Sequence, residues 1–284
     1  MLQTALLAIF VPAILTGVLA LVAQRFAPKL GVGLGMALGF AAGQIALVGW
    51  PGLMPVDATY RLLHLAILGA LAGLVEVLWP DKTGPRWAAR AVLAALVLGL
   101  LLRSVMEHTW EGGEIALNLA VLFAAFLGLA AFIDALERPT KSFEAPFLLV
   151  LLGSAAAGAL VLAHSAFLGQ LMGSLTATLG ALGVAALIRP EIRLRDGAVP
   201  VFAAVFAGLV LCSHYYATLP LVSAVLLVLA PLAAWLGGLG VMAQRPAWQI
   251  LVVRSLLLLL VAGLAVYFSY SANAVSASDP YAGY

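Results

Sequence analysis

The sequence predicts an all-α, polytopic transmembrane helical bundle of about ten spans. Three observations lead there. Of the 284 residues, 64% are hydrophobic and only 9% charged, a balance suited to a chain solvated mostly by lipid. Apolar runs of about 20 residues recur, separated by Pro, Gly and charged punctuation. Lys and Arg fall in alternate loops, apart from Arg61, Arg103 and Arg254.

The spans are placed at 4–24, 30–50, 59–79, 88–106, 114–136, 145–164, 167–188, 198–216, 219–241 and 247–270. Gln24, Arg25, Pro28 and Lys29 end the first. Trp50-Pro51-Gly52 and Pro55 end the second. Asp57 can cap the third, with Arg61 four residues on as an ion-pair partner. Trp79-Pro80-Asp81 and Gly84-Pro85 separate the third from the fourth, and Glu107 to Gly113 forms an acidic turn. Arg138-Pro139 and Lys141 close the fifth. Arg189-Pro190 to Asp196-Gly197 is the longest charged loop, and Arg245-Pro246 precedes the last span. The chain then reads as one transmembrane domain over 1–270 with a polar, disordered tail over 271–284.

Loops after the odd-numbered spans hold Arg25, Lys29, Lys82, Arg86, Arg90, Arg138, Lys141, Arg189, Arg193, Arg195 and Arg245. Loops after the even-numbered spans hold none; Arg61 and Arg103 sit just inside helix ends on that side. The positive-inside rule puts the charged loops in the cytoplasm and both termini outside. The expected location is a bacterial cytoplasmic membrane. The lipid bilayer is the expected partner, together with a membrane-protein partner or a second copy. A net charge of +2 held in loops argues against nucleic acid. The N-terminal MLQTALLAIF has no basic n-region, so no cleaved signal peptide is expected. Cys212 is alone, which excludes an internal disulfide and a cysteine-based metal cluster.

Small residues mark the packing faces. Gly31, Gly35, Gly39 and Gly43, with Gly33 beside them, put a side-chain-free stripe on one face of span two. Each costs about 1 kcal/mol in a helix relative to Ala, a cost accepted in membranes where a second backbone approaches closely. Gly69 and Gly73 do the same in span three. Gly169 and Gly173 open a small-residue row in span seven that continues through Ala177, Ala181 and Ala185. Ala72-Gly73-Leu74-Val75 recurs as Ala207-Gly208-Leu209-Val210, an offset that carries span two onto span seven. Five spans per half would then form inverted pseudo-repeats, 1–142 and 143–270, as in secondary transporters.

Three sets of residues could carry chemistry. All four histidines, His64, His108, His164 and His214, fall on the predicted outer side with Asp57, Glu107, Glu111 and Glu114. Of these, His108, His164 and His214 are candidate metal or haem ligands; an interfacial role is the simpler explanation of them. The second set is buried charge: Arg254 in span ten, with Asp134 and Glu137 as candidate partners, and Arg103 with Glu107 or Glu111. No acid falls in the middle of a span, which disfavours a midplane carboxylate relay. The third set, Gln44, Asn118, Gln170, Ser174, Thr176 and Thr178, could line a substrate path or bond within and between helices.

No P-loop, no GxGxxG followed by an acid, no Gly-x-Ser-x-Gly elbow and no basic amphipathic helix is present. No pair of residues argues for an enzyme, and the cofactor is open. The favoured reading is a small-molecule transport-type bundle with its path between spans two and seven. The alternatives are a structural subunit packing through its glycine groove, and a redox or metal-handling protein using the outer histidines.

Overall fold

The structure, a computed structural model, describes residues 2–26, 29–50, 52, 55, 57–80, 82–137 and 141–278. The loop residues Pro28, Pro51, Asp81, Arg138 and Pro139, and tail residues 279–284, lie outside that set. Among the described residues the chain forms ten α-helices and no strand. They are α1 (Leu2–Phe26), α2 (Leu30–Val48), α3 (Leu62–Leu78), α4 (Thr83–His108) and α5 (Gly112–Glu137), followed by α6 (Glu144–Leu162), α7 (Ala166–Ile188), α8 (Ala198–Tyr216), α9 (Leu221–Leu236) and α10 (Ala247–Ser278). Nine are long and apolar enough to cross a membrane.

The exception is α9. Its 16 residues reach about 24 Å at 1.5 Å per residue, less than a hydrocarbon core of about 30 Å. The expected span to 241 stops at Leu236, because Gly237 and Gly238 break the helix and Gly240, at φ 61°, starts a 3-10 turn. At the other extreme, α10 runs to Ser278, eight residues into the stretch read as a tail.

The centre of the bundle is α8, with 15 of its 19 residues buried. It touches α2 through α7 and α9. Its entry depends on glycine. Gly197, at φ 92°, lies where a Cβ on Gly33 or on Gly73 would collide with its carbonyl oxygen. Gly69 meets Val201 Cα and Pro200 O in the same way. Only backbone fits between α2, α3 and the start of α8.

The glycine stripe of α2 is covered by this chain's own α1. A Cβ on Gly31 would strike Ala23, one on Gly39 would strike Thr16, and one on Gly43 would strike Pro12 and Ser174. Thr16 Oγ1 also donates to Gly35 O at 3.0 Å. Close backbone approach and one hydrogen bond replace the hydrophobic drive that lipid removes. In α7, Gly169 packs on Ala157 and Val161 of α6, whereas Gly173 has no neighbour within 4 Å of a Cβ position. Serine hydroxyls tie the last helices: Ser223 donates to Ala265 O and Ser269 to Ala159 O, both at 2.8 Å.

Gly39→Ala should therefore lower the thermal unfolding midpoint in detergent, at an overpacking cost of about 1–3 kcal/mol. Gly173→Ala should leave the midpoint unchanged or raise it. Equal effects from both would contradict the packing described.

Candidate functional site

Two acids, two arginines and a tryptophan join α3, α4 and α5 at one end of the bundle. Arg86 and Arg90 were expected among the loop charges around the start of span four; both lie inside α4, one turn apart. Arg90 is 0% exposed. Its Nε and Nη2 donate to Glu76 Oε1 and Oε2 at 2.5 and 3.0 Å. Its Nη1 and Nη2 donate to Asp134 Oδ2 and Oδ1 at 2.6 and 3.2 Å. Both edges of one guanidinium fork are thus spent on carboxylates, and the Trp87 ring centroid lies 5.0 Å from its Cζ. Arg86 Nη2 bonds Asp134 Oδ1 at 2.5 Å, and its Nε lies 3.4 Å from Glu76 Oε2. Two cations and two anions cancel, so the cluster can sit at membrane depth.

The same end of α5 is held a second time. Glu137 Oε2 accepts the Arg195 backbone N–H at 3.1 Å. Ser142 donates to Pro190 O on the adjoining loop. In the loop over 189–197, outside the spans, burial pushes the Asp196 carboxyl above its usual range.

Arg254 is 2% exposed, and its Nε and Nη1 have no hydrogen-bond partner. The expected pairing with Asp134 or Glu137 does not occur. Asp134 faces Arg86 and Arg90, and Glu137 caps the 189–197 loop. The carboxylate within electrostatic reach of Arg254 is Glu144 at the start of α6. The guanidinium fits against Gly238, where a Cβ would collide with it. Arg103, in contrast, is exposed and bonds Glu107 at 2.8 Å across one helical turn.

A cavity of about 420 Å³ opens between α4, α5, α8 and α9. Leu98, Phe126, Leu129, Val210 and Val228 form its wall, while Val121, Leu221 and Val225 at its mouth are exposed. His214 and Tyr215 supply its polar corner, and Trp110 meets Tyr215 edge-on at 5.6 Å. His214 Nδ1 lies 2.9 Å from Leu219 O. A carbonyl only accepts, so Nδ1 is the donor in this contact, and in that tautomer Nε2 is the ring's acceptor.

The histidines share an end of the bundle without converging. His108 Nδ1 contacts Ser104 O of its own helix at 3.1 Å, and His164 Nδ1 contacts Thr218 Oγ1 at 3.3 Å. His64 Nδ1 is buried without a partner. Among the described residues no three His, Cys, Asp or Glu side chains form a group that could hold a metal. Of the polar row, Thr176 and Thr178 bond back to Met172 O and Leu175 O of their own helix. Gln44 Nε2 reaches Thr59 O and Tyr60 O at 3.2 and 3.3 Å. Buried Ser174 Oγ and Gln44 Oε1 lack partners. Gln170 is exposed and Asn118 half-buried.

No protein-family model matches this chain, and no curated protein matches it.

Two arginines should respond oppositely to substitution. Glu76→Gln strips Arg90 of half its compensation and should cost about 3–5 kcal/mol, read as a lower thermal midpoint. Arg254→Met removes a buried charge whose Nε and Nη1 lack partners and should leave the midpoint unchanged or raise it. A large loss on Arg254→Met would show that this guanidinium has a compensating partner.

Proposed function

We propose that this chain is a small-molecule transport-type bundle whose path runs between α4/α5 and α8/α9. One observation carries the reading: at the arginine end α5 is tied to α3, α4 and the 189–197 loop, while toward the histidine end the groove it shares with α8 and α9 is lined by exposed Val121, Leu221 and Val225. Closure rests on the ion cluster of Glu76, Arg86, Arg90 and Asp134, and on the loop capped by Glu137. The lever for opening is α9, which is short, contains Pro231 and ends in a glycine turn. A bundle that can close one end while releasing the other gives alternating access to a central site.

The charge alternation supports a bacterial cytoplasmic membrane as the location, with the arginine end inside and both termini outside. A repeat of five plus five helices gains support from the matching close pairs α1–α2 and α6–α7. Between α2 and α7, the path expected from the sequence, Gly43 rests directly against Ser174. A structural subunit docking on the α2 glycine stripe would have to displace α1.

The test bridges the groove mouth. In a Cys212→Ala background, Val121→Cys and Val225→Cys are joined by a short bis-maleimide. Alternating access predicts several-fold faster amide hydrogen exchange at residues 133–137 and 193–197 once the mouth is held shut. Unchanged exchange there would contradict the reading.

A further inference from the structure

We infer that the groove between α5 and α9 binds a single-chain amphiphile with an uncharged O–H head, a long-chain alcohol or a protonated fatty acid. The inference names the substrate class for the transport reading and rests on it for the word substrate; binding is separable from movement.

Three features select this chemistry. The wall is hydrocarbon, from Leu98 on α4 to Val228 on α9, and such a cavity does not hold ordered water. Its mouth, at Val121 and Val225, faces the same solvent as the other exposed apolar side chains of α5 and α9. In a bilayer that solvent is acyl chain, so a hydrocarbon tail is the occupant with access. The volume of about 420 Å³ falls in the ordinary range of small-ligand sites, about 300–1,000 Å³.

The polar corner chooses the head. His214 and Tyr215 stand at the histidine end of the groove, beside Trp110. The Nδ1–H tautomer that the Leu219 O contact selects leaves Nε2 of His214 as the acceptor for a head group. An O–H donor satisfies that acceptor, and the Tyr215 hydroxyl can pair with the oxygen of the same head. No Lys or Arg lines the groove. A phosphate headgroup would therefore find no counter-charge, and a free carboxylate would meet an acceptor rather than a donor. The head then lies at the level of Trp110, where an aromatic belt suits a membrane–water boundary, with its tail running toward the closed end.

Radiolabelled hexadecanol and palmitic acid serve as the probes, on the intact chain purified in mild detergent. Saturable binding to a single site is expected, with palmitic acid binding better below the pH at which its carboxyl ionises than above it. Gly128→Leu and Ala125→Trp fill the groove and should each weaken binding by about tenfold or more. A Cβ on Gly128 meets nothing closer than the Phe132 ring at 3.7 Å, so that variant has room to fold, which size-exclusion profiles check. His214→Phe keeps the ring and removes the acceptor; it should weaken hexadecanol binding severalfold. Absence of saturable binding overturns the inference. So does binding that both filled-groove variants retain while folded, or equal competition by phosphatidylcholine vesicles. If hexadecanol binds as described but the bridged mouth leaves amide exchange unchanged, the site stands and the transport reading falls.

Discussion

A single guanidinium ties three helices together at one end of this bundle. Arg90 is fully buried and holds a carboxylate on each edge of its fork, one from α3 and one from α5. Desolvating a charge of this kind costs several kcal/mol, and only near-complete pairing offsets it. The geometry is accordingly demanding. Glu76, Asp134 and Arg90 must meet from three helices, which fixes their relative rotation and depth. Arg86 adds a second cation and brings the cluster to neutrality.

From that fixed point the rest follows by packing. Glycines at 33, 69, 73 and 197 let α8 enter between α2 and α3 at backbone distance, and its burial makes it the wall shared by every other central helix. The helices on its far side, α4, α5 and α9, do not close on each other along their full length. Asp134 and Glu137 draw α5 inward at one end, while nothing comparable joins α5 to α9 near Val121 and Val225 among the described residues. The groove is the consequence. The polar restraint on α5 thus lies at one end, and its contact with α9 is apolar.

Much of the architecture was legible in the sequence. Runs of apolar residues and their Pro, Gly and charged breaks mark all ten helices, because hydropathy is a local property. The stripe from Gly31 to Gly43 announces a close helix contact, although nothing local says that α1 provides it. The site was largely hidden. Arg86 and Arg90 look like loop charges when residues are counted by topology. Their spacing of four, facing Glu76 across the turn and Asp134 at the end of α5, was the available signal. The early end of α9 was likewise written in Gly237, Gly238 and Gly240. The groove had no signal at all, since Val121, Phe126 and Val225 are ordinary membrane residues whose meaning comes from three-dimensional placement. Four histidines on one side suggested a ligand set, yet sharing an end of a bundle does not bring imidazoles within bonding distance of one metal.

The most direct test of a bundle pinned at one end and free at the other is a pair of spin-label distances in lipid. One pair, Leu117→Cys with Val222→Cys, reports on α5 and α9 at the histidine end, where both positions are exposed. The other, Lys141→Cys with Arg189→Cys, reports on the arginine end, where both are also exposed. The account predicts a broad or two-peaked distribution for the first pair and a single narrow one for the second. Narrow distributions for both, or breadth confined to the arginine end, would contradict it.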